Sequence, residues 1–147
     1  MFRFSLQTVL DVRTRQERIK YKEYSQELIR QQALLGRIHA LENDLRRAGQ
    51  SMDQMRQGSG VTAYPLQMHT MFRQRVASEI AVLQQQLREQ EEALEAKRQE
   101  LVQARRDYRT MEILRDKERV RYDAEEARRE RNVMDEAAAN YVNHPST

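Results

Sequence analysis

The stretch Gly58-Ser59-Gly60-Val61-Thr62-Ala63-Tyr64-Pro65 has the composition of a turn. It holds two of the four glycines and one of the two prolines of the chain, and the sequence on both sides of it has a helical pattern. Two long helices joined by one turn form a hairpin. The sequence therefore predicts an all-α fold, a long antiparallel two-helix coiled coil with an overhanging C-terminal helix and little interior for a catalytic pocket.

The composition favours a narrow seam between helices over a globular core. Of the 147 residues, 33% are charged and 6% aromatic, and there is no Trp and no Cys. Such a chain has too few large apolar side chains to fill a compact interior. We expect a single domain over residues 1–147, with helix one at about 5–56, the turn at about 57–64 and helix two at about 65–141.

The charge balance argues against several classes of partner. The net charge is only +3, from 26 basic and 23 acidic residues, whereas nucleic-acid binding usually needs a concentrated basic face. No apolar run approaches the ~20 residues of a membrane span, and the N-terminus lacks the apolar core of a secretory signal. The absence of Cys fits a reducing cytoplasm. We expect a cytoplasmic protein that binds no nucleic acid.

Helix one has an imperfect apolar seam. Ser5 is a candidate N-cap, and Phe4 with Val9 has the spacing of a hydrophobic staple. Before Tyr24 the seam is poor, and a three-residue step from Ile38 to Leu41 resembles a stammer. The expected seam positions are Tyr24, Leu28, Leu35, Ile38, Leu41, Leu45, Ala48, Met52 and Met55.

Helix two, which should open with Pro65 as its first residue, has a strict heptad pattern. Gln90 and Lys97 are polar seam positions, for which two interpretations are open. Their stems could lie along the groove with their heads in water, or they could fix the register against helix one. The seam positions are Val76, Ile80, Leu83, Leu87, Gln90, Leu94, Lys97, Leu101, Ala104, Tyr108 and Met111.

The pattern changes after Met111. Residues 115–131 carry 13 charges in 17 positions, so we expect this part to stay helical through charge pairs without burying much surface. At ~1.5 Å per residue the two helices would be about 75 and 110 Å long. Ser5 should then lie opposite approximately residue 117, and about two dozen residues of helix two should extend beyond helix one.

The sequence contains no pattern typical of catalysis. The three histidines are far apart and lack metal-ligand spacing, and the glycines of the turn lack the Lys and the spacing of a phosphate loop. We therefore expect a protein that is not an enzyme, with no catalytic, cofactor or metal residues, no cofactor and no small-molecule substrate.

An apolar cluster follows the turn: Leu66, Met68, Met71 and Phe72. Flexible Met side chains on a solvated tip suit a binding surface. Alternatively, these residues close the end of the seam against Met52 and Met55.

Both ends of the chain resemble the FliJ family of bacterial flagellar proteins. The opening segment from Phe2 to Arg13, Phe-Arg-Phe-Ser-Leu-Gln-Thr-Val-Leu-Asp-Val-Arg, is similar to the family's Phe-x-Phe/Leu-x-Leu start. The segment from Glu126 to Ala137, Glu-Ala-Arg-Arg-Glu-Arg-Asn-Val-Met-Asp-Glu-Ala, is similar to its C-terminal pattern of Arg followed by a hydrophobic-Asp-Glu core. The length and the single central break also fit.

The resemblance implies a soluble stalk of the flagellar type III export apparatus, peripherally associated with the inner membrane at the basal body. Its implied partners are the hexameric export ATPase with its regulator, the membrane export gate, and export chaperones. The gate side would be Met68, Met71 and Phe72, of which only Phe72 matches the family pattern. By position, the residues facing the ATPase ring would be Arg115, Arg119, Arg121, Glu125, Arg128, Arg129, Met134, Asp135 and Glu136.

Two other functions remain open from the residues alone. One is the equivalent stalk of a virulence type III injectisome, although the Phe-x-Phe-Ser-Leu start favours the flagellar machine. The other is a generic coiled-coil scaffold that forms homodimers.

Overall fold

A computed structural model describes residues 1–58 and 60–143, with the side chains of residues 142 and 143 left aside. Helix α1 spans Gln7–Gln57 and helix α2 spans Ala63–Asn143. Within these residues there is no strand, so the predicted all-α fold of two helices packed against each other is confirmed. Ser59 of the expected turn and residues 144–147 lie outside the described residues.

The contacts of the chain fall into two compact units. Unit 1 combines Met1–Ile19 with Val102–Thr147, and unit 2 is Lys20–Leu101. In each unit a part of α1 packs against a part of α2 that runs in the opposite direction. The expectation of a single domain stays a prediction.

The contact face of α2 follows the heptad pattern. In unit 2, Val76, Leu83 and Leu101 are buried, and every other seam position is half-buried, including the polar Gln90 and Lys97. In unit 1, Met111 is buried and Ala104 and Tyr108 are half-buried. A heptad period keeps one stripe of a helix facing its neighbour, and this produces the observed burial.

The contact face of α1 differs from the expected one. Leu28 and Met55 are exposed, whereas Glu27 and Gln31 are half-buried, so the expected seam was wrong at these positions. The half-buried residue before Ile38 in this face is Leu34, four positions earlier. The face therefore has no two successive three-residue steps and no stammer. In unit 2 the face alternates steps of three and four through Lys20, Tyr24, Glu27, Gln31, Leu34, Ile38, Leu41, Leu45, Ala48 and Met52.

The helix starts also differ from the expectation. Pro65 is the third residue of α2, not the first, and the Thr62 carbonyl accepts the N–H of Leu66 at 3.4 Å. Pro is tolerated there because N–H groups of the first turn have no acceptor within the helix. Ser5 lies two residues before α1 and does not act as its N-cap, because its hydroxyl bonds to Glu118.

Candidate protein-binding surfaces

A small apolar cluster anchors the N-terminus of unit 1. Phe4, Leu10 and Met111 are buried together, and Phe2 and Tyr108 pack against them. Phe4 precedes α1, so its burial fixes the N-terminal residues against α2. This cluster gives the first residues of the chain a defined position, which a frayed helix end would lack.

The contact face of α2 continues past Met111 into residues 115–131, which otherwise bury little, as expected. Arg115, Glu118 and Tyr122 are half-buried and keep the alternating steps of four and three. The Ser5 hydroxyl and backbone N–H donate to the two carboxylate oxygens of Glu118 at 2.6 and 3.2 Å. Ser5 therefore lies opposite residue 118, close to the expected position.

A second set of contacts fixes the first two residues. The N-terminal ammonium of Met1 donates to the Tyr122 hydroxyl at 2.8 Å, and that hydroxyl donates to Glu126 at 2.6 Å. The rings of Phe2 and Tyr122 pack at 5.7 Å with a tilt of 57°. The seam thus ends at Tyr122 with polar and aromatic residues in place of aliphatic ones.

These contacts shift two ionisation equilibria. The pKa of Glu118 is lowered, first by the Ser5 hydroxyl and then by the Ser5 backbone N–H, because both donate to its charged form. The pKa of the Tyr122 hydroxyl is raised, chiefly because it donates to the Glu126 carboxylate. Both shifts favour the protonation states that hold the N-terminal residues at neutral pH.

A basic cleft lies beside the anchored N-terminus. Arg3, Arg115 and Arg119 line it together with Phe2, Phe4, Ser5, Gln7, Thr8 and Asp116. Arg115 lies 3.5 Å from Asp116. Three guanidinium groups beside one carboxylate suit an acidic side chain of a partner protein, because guanidinium pairs readily with carboxylate.

Beyond Tyr122, every described side chain is exposed through residue 141. Arg119 lies 4.0 Å from Asp123, and Arg129 lies 4.0 Å from Glu125, so these ion pairs form within α2 itself. The other proposed ring-facing residues are likewise exposed, namely Arg121 just before Tyr122 and Arg128, Met134, Asp135 and Glu136 beyond it. This segment offers exposed side chains of both charge signs along the helix.

The apolar residues after the turn divide into two kinds. Met68 and Met71 are exposed, whereas Phe72 is half-buried with the guanidinium carbon of Arg75 5.7 Å from its ring centre. Met52 is buried. Met52 and Leu66 line one cleft. Closure of the seam therefore accounts for Met52, and it leaves Met68 and Met71 available to a partner.

Unit 2 contains a polar network across its seam. Lys20 bonds to Glu100 at 2.8 Å and to Glu23 at 3.2 Å, and Lys97 bonds to Glu23 at 3.2 Å and to Glu100 at 3.4 Å. Glu100 chiefly raises the pKa of Lys20, and Lys97 chiefly lowers that of Glu23. The four groups form a ring of alternating charge.

Gln90 makes the other polar contact across the seam. Its amide donates to the backbone carbonyl of Glu27 at 3.1 Å and also to the Glu27 carboxylate. Together with the bond from Lys97 to Glu23, this supports the interpretation that the polar seam residues fix the register between the helices.

Sequence reasoning missed part of the N-terminal site. Arg3 and Tyr122 were not among the predicted residues, and Glu118 was predicted only as part of a solvated segment. A signal existed, because the heptad spacing runs on from Met111 through Arg115 and Glu118 to Tyr122. The continuation was missed because only apolar residues were expected at seam positions.

Within the described ranges, 1–58 and 60–143, neither helix has a stretch long and apolar enough to cross a membrane. No group of three or more His, Asp or Glu side chains in these ranges is placed to hold a metal ion.

The family model described as the flagellar FliJ protein matches residues 2–146. No curated protein and no solved structure matches the chain.

Proposed function

The chain belongs to the FliJ family of flagellar export proteins, and from that premise we propose that it is a stalk that binds and activates the hexameric export ATPase. Unit 1 would make this contact. Unit 2 would contact the membrane export gate through the residues that follow the turn. The protein would work in the cytoplasm, peripherally associated with the inner membrane at the flagellar basal body, and would also meet export chaperones and the regulator of the ATPase.

The observation that carries the ATPase contact is the exposed, charged C-terminal part of α2. Its side chains from residue 123 to residue 141 have no contact with α1 that would bury them. Immediately before it, the bonds of Tyr122 and Glu118 to the N-terminal residues hold α2 in place. A charged helix fixed at its base can enter a pore lined by the opposite charges with little loss of conformational freedom.

A single helix cannot make the same contacts with six equivalent subunits. Arg128 and Arg129 can meet acidic groups on some subunits of a ring, while Glu125 and Glu136 meet basic groups on others. Different subunits are then stabilised in different states. That asymmetry gives a physical reason why such a stalk would change the rate of ATP turnover.

For the gate contact, Met68 and Met71 supply exposed flexible apolar surface close in sequence to Phe72. Such side chains adapt to an apolar groove of a partner protein. The proposed gate contact therefore depends on apolar burial, whereas the proposed ATPase contact depends on charge.

The direct test compares two variants of the full chain with the purified ATPase. One variant ends after Glu126, which keeps the Tyr122 bond to Glu126 and removes the remaining charged helix. The control is Met68→Ala with Met71→Ala. We expect the truncation to abolish stimulation of ATP turnover and ring assembly, and the control to retain both. Full stimulation by the truncated chain would exclude this site.

The gate contact has a separate readout. Binding of the gate's cytoplasmic domain should weaken in the Met68→Ala, Met71→Ala variant and stay unchanged in the truncated chain. The reverse pattern would show that the two surfaces are assigned to the wrong partners.

A further inference from the structure

A second heptad stripe runs along the side of α2 that faces away from α1. It begins at Ile113, two residues or about 200° beyond buried Met111, and alternates steps of four and three to Tyr141. All of its members are exposed, and the large apolar ones range from 43% at Ile113 to 78% at Tyr141. Seven of the nine positions are apolar: Ile113, Lys117, Val120, Ala124, Ala127, Arg131, Met134, Ala138 and Tyr141.

A stripe with this period is the pattern of a helix that packs against another helix. A solvated helix has no need to place Val120, Met134 and Tyr141 on one heptad line within a segment this rich in charge. Ile113 and Val120 already line one shallow groove together with Lys117. The stripe therefore predicts a helical partner on this side of α2.

The charges beside the stripe indicate which helix that is. Asp116, Asp123 and Glu130 each directly precede a position of the stripe and form an acidic edge. Arg121 and Arg128 each directly follow a position and form a basic edge. A helix with one acidic and one basic edge is complementary to a copy of itself.

The orientation follows from the same edges. In a parallel pair, each residue of the first edge meets the residue five positions later on the second edge of the other chain. Asp116 then meets Arg121 of the second copy, and Asp123 meets Arg128 of the second copy. In an antiparallel pair acidic edges face acidic edges, and like charges repel.

We propose that residues 113–141 form a parallel two-stranded coiled coil with the same residues of a second copy of this chain. Lys117 and Arg131 occupy stripe positions, and Glu130 meets Asp135 of the second copy. These residues weaken the pair, so it dissociates readily. The dimer covers much of the segment proposed to meet the ATPase, and it is inferred independently of that contact.

The first experiment measures self-association by sedimentation equilibrium over a concentration series. Val120→Lys places a charge in the stripe, and Val133→Lys places the same charge on a residue of the same segment outside it. The two side chains are similarly exposed, at 67% and 64%. We expect at least a tenfold rise in the dissociation constant for Val120→Lys and little change for Val133→Lys. A wild-type chain that stays monomeric at its highest soluble concentration, or equal effects of both variants, would overturn the proposal.

The second experiment tests the orientation. The chain contains no cysteine, so single cysteines can be introduced without background. Val120→Cys should form a disulfide-linked dimer under mild oxidation, because a parallel pair in register brings identical stripe positions together. Val133→Cys should link much more slowly. If the wild type dimerises but Val120→Cys and Val133→Cys form the disulfide at the same rate, the parallel arrangement is ruled out.

The third experiment tests the edges. Arg121→Glu with Arg128→Glu makes both edges acidic, and Asp116→Lys with Asp123→Lys makes both basic. Each double variant alone should dimerise at least tenfold more weakly, and a mixture of the two should recover wild-type association. Far-UV circular dichroism verifies that each variant stays helical. Unchanged association of either folded double variant alone would contradict the charge pairing.

Discussion

Replacement of Phe4 by Ala should release the N-terminal residues from α2. Phe4 is 7% exposed and lies in a cluster with Leu10 and Met111. Loss of a buried Phe side chain costs about 3–5 kcal/mol, and the low end applies because a short terminal segment can relax into the space. We therefore expect a loss of about 3 kcal/mol in the local stability of this segment.

Hydrogen exchange of the Leu10 amide measures this loss directly. That N–H donates to the Leu6 carbonyl at 3.0 Å in the first turn of α1. A loss of about 3 kcal/mol corresponds to roughly a hundredfold faster exchange through local opening. Amides of unit 2 should be unaffected if the opening is local.

Leu6→Ala is the matched control on the same segment. Leu6 is 42% exposed, so its truncation should cost only about 1 kcal/mol, or several-fold in exchange rate. Equal acceleration in the two variants would refute the cluster as the anchor of the N-terminus. An exchange rate of the Leu10 amide that rises less than about tenfold in Phe4→Ala would refute it as well.

Other substitutions probe the helices and their ion pairs. Gly36→Ala and Gly49→Ala should each stabilise the protein to urea by about 0.5–1 kcal/mol, since an added Cβ meets no atom within 4 Å at either site; a loss of stability would contradict this. Because the folded pKa of Glu118 is lowered by Ser5, its stabilising contribution is present above the unfolded pKa near 4.5 and is lost as pH falls through the folded value. The protection factor of the Ser5 amide, the exchange rate of an unprotected amide at the same pH divided by its own, should therefore fall at acid pH in the wild type and depend less on pH in Glu118→Gln. Lys97→Met should lower the melting temperature more at low salt than in about 1 M salt, because salt screens the ion pairs it removes; equal losses would argue against a charge effect.

The two helices differed in how well their patterns predicted the seam. Helix α2 carries apolar residues at most of its heptad positions, so periodicity alone located its contact face. Helix α1 places Glu27 and Gln31 in the seam, where their stems pack and their heads bond across it or reach water. An assignment that follows apolar residues then shifts to Leu28, which is exposed.

For the candidate sites too, local sequence pattern predicted some features and not others. The sequence left open whether Met68 and Met71 are exposed or close the end of the seam, and the structure shows them exposed. The bond of Ser5 to Glu118 was not predicted, because a Ser before a helix also fits a cap, and local pattern does not distinguish the two. Whether Ser5 caps α1 or bonds to α2 depends on which residue of α2 lies opposite Ser5.

Local pattern alone decided the all-α class, the break between the helices, the heptad face of α2 and the charged C-terminal segment. Propensity and period act over a few residues and need no knowledge of a partner. Only tertiary packing decided that the seam runs on to Tyr122, that Lys97 and Gln90 reach across to α1, and that the N-terminus is fixed. Those outcomes depend on pairs of residues far apart in the chain, and their bonds exist only in the register that the packed apolar positions impose.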